Sequence, residues 1–151
     1  EVLLAHHLDT YNVKEKKIFE IGAGTSLAAI VCCKNGAFIA IQELEDVIQN
    51  SIECILINRI SSDQFIPLKC FWGEEFKSLL MAKDLSHQFD IILCSDVVYD
   101  MKYNDALITS IIYASKPKAI IYLSYEQRRK DLTPFFDNLN IYCSTLNYQR
   151  M

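Results

Sequence analysis

Residues Ile18-Phe19-Glu20-Ile21-Gly22-Ala23-Gly24 decide the fold. An apolar strand runs into two glycines, and a helix-like run (Leu27, Ala28, Ile30, Val31) follows at once. Glycine tolerates positive φ and lets a ligand approach the backbone closely. The N-terminus of the following helix offers N–H groups without helical partners. Strand, glycine turn and helix together predict a nucleoside-cofactor site. Glu20 bears on which cofactor: a carboxylate there would repel a pyrophosphate and suits a ligand with an amino group or a cationic centre.

Outward from this stretch, strand and helix patterns alternate. Strands are predicted over 18–21, 37–42, 65–70, 89–95 and 119–124, with a last one over 141–146. A helix over 26–34 is stopped by Asn35-Gly36. A second, over 44–58, carries a helical apolar stripe at 44, 47, 48, 52, 55 and 56. A third, over 104–115, is broken by Pro117, and a short one is predicted over 131–139. The unbroken apolar run 89–95 suits a strand covered on both faces. This alternation predicts an α/β domain, a mainly parallel, doubly wound sheet with helices on both faces. Ligands of such sheets bind at the carboxyl ends of strands, at a switch point. Gly22 to Gly24, Glu43, Trp72 and Ser95 to Tyr99 all fall at predicted strand ends.

A length of 151 residues suits one domain with a single core, and a hydrophobic fraction of 51% argues against disorder. The net charge of −4 gives no electrostatic reason to expect nucleic-acid binding. The largest apolar run, around 108–113, is too short to span a bilayer, and no signal-peptide pattern is visible. Cysteines 32, 33, 54, 70, 94 and 143 include no C-x-x-C pair and sit mostly in apolar runs. They predict buried, reduced thiols in a cytoplasmic or nuclear protein. His6, His7 and His87 show no metal-ligand spacing. The chain begins at Glu1, and Val2, Leu3, Leu4 and Leu8 read as an amphipathic helix already under way, so a preceding segment is expected.

The candidate residues each have an ordinary alternative. Glu43 can accept both hydroxyl hydrogens of a ribose, or it opens an acidic helix start with Glu45 and Asp46; the glycine turn favours ribose. Trp72 offers a wall for an adenine ring, or packs in the core. Asp96 can bind a cationic amine or a cofactor's amino-acid end, and Tyr99 can set its ring against an ammonium group. The alternative is a helix cap by Asp96 or Asp100. Glu126, within Tyr125-Glu126-Gln127-Arg128-Arg129, lines the same rim or sits in an exposed loop. A dinucleotide site would want a small residue where Leu27 stands, and a P-loop would want a lysine where Thr25-Ser26-Leu27 runs.

At these positions the chain resembles the S-adenosylmethionine-dependent seven-strand methyltransferases. More narrowly, it is similar to the methyltransferase-16 family, protein-lysine methyltransferases of chaperones, the valosin-containing ATPase and elongation factors. The matching stretches are 19–25, Trp72-Gly73-Glu74-Glu75, 89–99 and Ser124-Tyr125-Glu126-Gln127-Arg128, with Asp96-x-x-Tyr99 as the family's D-x-x-Y signature. The stretches at 72–75 and 125–128 look most like the branch acting on the valosin-containing ATPase. Those at 25–27 and 92–96 look closer to a branch associated with histone arginine.

The resemblance implies a Rossmann-like seven-strand fold, truncated here at both ends, with S-adenosyl-L-methionine as cofactor. It implies that Glu20, Gly22, Ala23 and Gly24 hold the methionine end and adjoining ribose. It implies that Glu43 holds the ribose hydroxyls, Trp72 meets the adenine, Ser95 lies by the cofactor, and Asp96 and Tyr99 face the substrate amine. The expected activity is N-methylation of a lysine in a chaperone, ATPase, elongation-factor or histone type of protein. The alternatives are arginine methylation, a small-molecule substrate, or a silent binding module. Glu43 replaces the family's usual aspartate, and Ser26 a frequent glycine. The family's upstream tryptophan has no counterpart, and its final antiparallel strands are at most partly present.

Overall fold

The alternating apolar runs become five parallel strands in the computed structural model, which describes residues 2–126 and 131–143. The strands are β1 (Lys17–Ile21), β2 (Phe38–Glu43), β3 (Phe65–Lys69), β4 (Phe89–Ser95) and β5 (Ser115–Ser124). They lie in the order β3-β2-β1-β4-β5. The helices are α1 (Val2–Asp9), α2 (Leu27–Lys34), α3 (Glu45–Ile57), α4 (Glu74–Ala82), α5 (Asn104–Ala114) and α6 (Thr133–Asn140). The chain moves outward from β1 to β3 and then returns to place β4 on the other side of β1. The crevice at the carboxyl ends of β1 and β4 is therefore the switch point of the sheet. Among the described residues no helix is long and apolar enough to cross a membrane.

Period-two alternation divides the strand side chains between two cores. Ile18 of β1 packs beneath α1, α2 and α3, with Leu8, Ala28, Ile39, Ile55 and Leu93. Phe19 and Ile21 face the other way, with Phe76, Leu80, Phe89, Leu107 and Phe135. The Phe19 ring meets Phe76 and Phe89 edge-on, with centroids 5.2 and 4.8 Å away. That arrangement suits the quadrupoles of the rings, and burial of each such side chain contributes about 1.5–3 kcal/mol. All six cysteines are free, with Cys32, Cys33, Cys70 and Cys94 buried and Cys54 and Cys143 half-buried. Burial, helped by the charge of Glu20, pushes the thiols of Cys32 to about 12 and Cys33 to about 11. Burial and then Glu75 push that of Cys70 to about 12. These thiols are core groups, not nucleophiles.

Three elements differ from the sequence pattern. Helix α4 is not among the predicted elements; its signal is the buried pair Phe76 and Leu80, four apart, behind the acidic first-turn residues Glu74 and Glu75. Strand β5 starts at Ser115, ahead of Pro117, rather than at 119. The register jumps from Phe89↔Ser115 to Ile91↔Ile120, and Lys118 takes φ 68°. Such a bulge at the border of the described sheet tolerates a residue that cannot donate to the ladder. The strand predicted over 141–146 instead begins as a turn at Ile141 and Tyr142, and 144–146 lie outside the described residues. Five of the seven strands expected from the family resemblance are present among the described residues.

Asp90 ties the amino end of the sheet together. Its Oδ2 accepts the Lys17 N–H at 2.9 Å, and its Oδ1 pairs with the Lys116 ammonium. Burial pushes this carboxyl up, but Lys116 and the Lys17 N–H outweigh burial and hold it below the usual carboxylate range. A depressed carboxyl stabilises the fold above its unfolded value of about 3.9, and that stability is lost as pH falls through the lower folded value. Asp90→Asn is expected to lower the melting temperature at neutral pH, with a loss of up to about 1 kcal/mol. The gap between variant and wild type should close as the pH drops below about 4. Coincident melting curves at neutral pH would contradict this role.

Candidate functional site

The turn after β1 is shaped by one close approach and one open space. Gly22 takes φ 65°, and a Cβ there would stand 2.7 Å from Val97 Cγ1, in the segment that follows β4. Gly24 takes φ 50°, with nothing within 4 Å of the corresponding point, so space lies open above it. The N–H groups of the turn point inward. Gly22 N donates to Gln42 Oε1 at 3.1 Å, Ala23 N to the Gln42 carbonyl at 3.1 Å, and Gly24 N to Glu43 Oε2 at 3.0 Å. A phosphate-binding turn aims such groups at its ligand. Here they are spent on the end of β2, so this glycine turn makes a seat without being an anion cradle.

Glu43 ends β2 at the lip of the seat. Its Oε2 holds Gly24 N, and its Oε1 accepts the Leu44 N–H at 2.8 Å. Each carboxylate oxygen has a further lone pair to offer. Trp72, just beyond β3, donates its indole N–H to Gln42 Oε1 at 2.8 Å. Its ring lies in a triangle with Tyr99 and Tyr103, at centroid distances of 6.1 and 6.3 Å, and the two tyrosines are 6.4 Å apart. Burial first, then Tyr103, Glu43 and Asp100, push the Tyr99 phenol up against a smaller opposing effect of Lys102, so it stays protonated at ordinary pH. Glu43, Trp72 and Tyr99 thus line one cleft of about 140 Å³ with Gln42, Leu44, Phe71, Tyr103 and Ala106. Pockets for whole small ligands run to about 300–1,000 Å³. This cleft therefore has room for the ring end of a nucleoside cofactor rather than for all of it.

Other candidates lie elsewhere. Glu20 is 1% exposed, and its Oε2 accepts the Ala29 N–H at 3.2 Å, in the first turn of α2. Period two places it on the same face as Ile18, beneath that helix. It serves as a distant cap where Ser26, at the N-cap position, makes no side-chain cap bond. Ser26 itself is fully buried with φ 58°, and its hydroxyl has no hydrogen-bond partner among the described residues. Ser95 Oγ meets Ser124 Oγ at 3.1 Å, and the Asp96 N–H donates to the Ser124 carbonyl at 2.7 Å. Asp96 takes φ 58° and does not line the aromatic cleft that Tyr99 enters. Residues 127–130, next to Glu126, lie outside the described residues. Gln42, Leu44, Phe71, Tyr103 and Ala106 are site residues absent from the sequence reading. Leu44 directly follows β2, Phe71 stands two residues beyond the end of β3, and Tyr103 stands four residues beyond Tyr99.

Comparison with known proteins adds to this geometry. A family model described as lysine methyltransferase matches residues 2–141. The histone-arginine methyltransferase METTL23 of Xenopus laevis is 34% identical over 137 residues, covering 86% of this chain and 56% of that protein. The protein N-lysine methyltransferase METTL21A of Danio rerio is 31% identical over 132 residues, covering 81% and 56%. A solved structure from Streptococcus mutans, provisionally named as an S-adenosylmethionine-dependent methyltransferase, superposes with a TM-score of 0.71 at 11% identity, covering 91% of this chain and 38% of that one. At such identity the superposition supports the fold alone. The chain spans about half the length of the curated relatives it matches.

Two substitutions in the turn should act in opposite directions. Gly22→Ala must move Val97 and hold a Cβ at positive φ, so it is expected to cost roughly 2–4 kcal/mol. Ser26→Gly relieves a positive φ and a buried unpaired hydroxyl at a smaller cost in chain entropy, for a net gain of about 1 kcal/mol. Denaturant melts of both variants check this; a neutral Gly22→Ala would disprove the close approach.

Proposed function

We propose that this chain, which belongs to the lysine methyltransferase family, binds S-adenosylmethionine at the carboxyl edge of its sheet and methylates a lysine side chain of a protein. The observation that carries this reading is the Glu43 carboxylate, fixed by the Gly24 and Leu44 N–H groups beside the open space over Gly24. Its further lone pairs suit two ribose hydroxyls, and the cleft between Trp72 and Tyr103 suits the base. In this reading Gly22, Ala23, Gly24 and Ser95 border the amino-acid end, and Glu20 acts through the α2 turn that it caps. The inward N–H groups of the turn favour a ligand without phosphates.

The cofactor, when bound, supplies a methyl group on a cationic sulfur. The protein's part is chiefly alignment of the amine. A lysine must be neutral to act as nucleophile, and partial burial beside the cationic sulfur lowers its pKa. A carboxylate opposes that shift, so Asp96 orients the amine rather than serving as a strong base. The neutral ring of Tyr99 offers its face to the ammonium group. Arginine is the second reading, favoured by the 34% identity to a protein named for histone-arginine methylation. The substrate is of chaperone, ATPase, elongation-factor or histone type. The buried free thiols support a reducing compartment, cytoplasm or nucleus.

A ligand that binds only the folded state raises its melting temperature. S-adenosylhomocysteine is therefore expected to stabilise the protein, and Glu43→Ala to weaken that effect by about tenfold or more in affinity. Asp96→Ala should keep cofactor affinity but abolish transfer of labelled methyl groups to proteins of a cell extract. Mass spectrometry of the labelled band separates lysine from arginine. Absence of any stabilisation by S-adenosylhomocysteine would overturn the proposal.

A further inference from the structure

The Gln42 side chain is the junction between the two halves of the seat. It is 1% exposed, near the carboxyl end of β2, paired in the sheet with Ile21 of β1 and Leu68 of β3. Its Oε1 receives both the Gly22 N–H at 3.1 Å and the Trp72 indole N–H at 2.8 Å, while its Nε2 donates to the Cys70 carbonyl at 2.6 Å. The opposite orientation of the amide would set its NH₂ against two donors, so only one orientation satisfies all three partners. Both lone pairs of Oε1 are used, which leaves this oxygen no acceptor site for a ligand. Gln42 acts through its neighbours.

We propose that Gln42 is a positioning residue that locks Trp72 to the glycine turn, so that the base-binding wall and the amino-acid end of the seat form one rigid unit. The inference rests on the cofactor reading above and deepens it. Without the amide, Gly22 N–H and the Trp72 indole N–H lose a shared buried acceptor, and the wall is free to move relative to the turn. The requirement is for an acceptor and a donor on one side chain. Methionine does not meet it, threonine is too short to reach all three partners, and glutamic acid meets it only when protonated.

Trp72 is the single tryptophan, so its fluorescence reports this junction directly. In Gln42→Met, acrylamide quenching of Trp72 should rise, and calorimetric affinity for S-adenosylhomocysteine should fall by about tenfold, with far-ultraviolet circular dichroism unchanged. In Gln42→Glu, burial raises the new carboxyl's pKa. Below that pKa the neutral acid can donate to the Cys70 carbonyl, so quenching and affinity should approach wild type. Above it both should worsen. A pH-dependent Trp72 signal of this sign is not expected of a residue that merely fills space. Wild-type quenching in Gln42→Met, or raised quenching with unchanged affinity, overturns the proposal. If Gln42→Met does not fold, a Gln42→Glu signal independent of pH and equal to wild type overturns it. If wild type itself binds no S-adenosylhomocysteine, the cofactor reading and the positioning of a cofactor both fail, while the quenching comparison still decides whether Gln42 holds Trp72.

Discussion

The end of β2 takes up three consecutive N–H groups of the turn that leaves β1, those of Gly22, Ala23 and Gly24. This folding-back is possible because β1 and β2 are parallel neighbours in register, with Ile21 opposite Gln42. It leaves the outer surface of the turn open above Gly24 while Gly22 sinks against Val97. The position of β4's following segment, and so of Asp96 and Tyr99, is coupled to the absence of a side chain at Gly22. The geometry of the carboxyl edge is thus set by backbone contacts between neighbouring strands before any exposed side chain contributes.

On that base the chain builds a seat with distinct chemistries. The Glu43 carboxylate stands at its lip, a triangle of Trp72, Tyr99 and Tyr103 makes the wall, and the hydroxyls of Ser95 and Ser124 meet at the ends of β4 and β5. Of the D-x-x-Y pair, Tyr99 lines the aromatic cleft and Asp96 does not; the Asp96 N–H bonds to the Ser124 carbonyl of β5. In the proposed reading this separation gives Tyr99 to the wall beside the base and leaves Asp96 to meet the substrate amine from the β5 side.

The same edge is rich in carboxylates: Glu43, Glu45, Asp46, Glu74, Glu75, Asp96, Asp100 and Asp105 follow the strands. Its lysines are engaged with acids, Lys69 with Glu45, Lys77 with Glu74 and Lys102 with Asp100. Such exposed pairs contribute little to stability. The excess of these acids over lysines makes the edge net negative, a field that would favour a cationic segment over an anionic one. This field agrees with an amine-bearing substrate and with the chain's overall acidity.

Alternating apolar periods, Asn35-Gly36 and the glycine turn were enough to place most strands and helices, because each is a local property of a few residues. They also placed Glu43 and Trp72 at strand ends, since a strand end is visible in its own sequence. Glu20 shows the limit. Its neighbours suggest a ligand contact, and only the packing of α2 over the face it shares with Ile18 reveals that its Oε2 also holds the Ala29 N–H. Helix α4 was obscured by a short acidic start whose apolar pair acquires meaning only against the sheet. Gln42 reads in the sequence as one more strand residue; its partners Gly22 and Trp72 lie 20 and 30 positions away. Periodicity and backbone freedom are written residue by residue, and so the architecture was legible. Which polar groups meet depends on pairing between distant strands, and that pairing exists only once the sheet has formed.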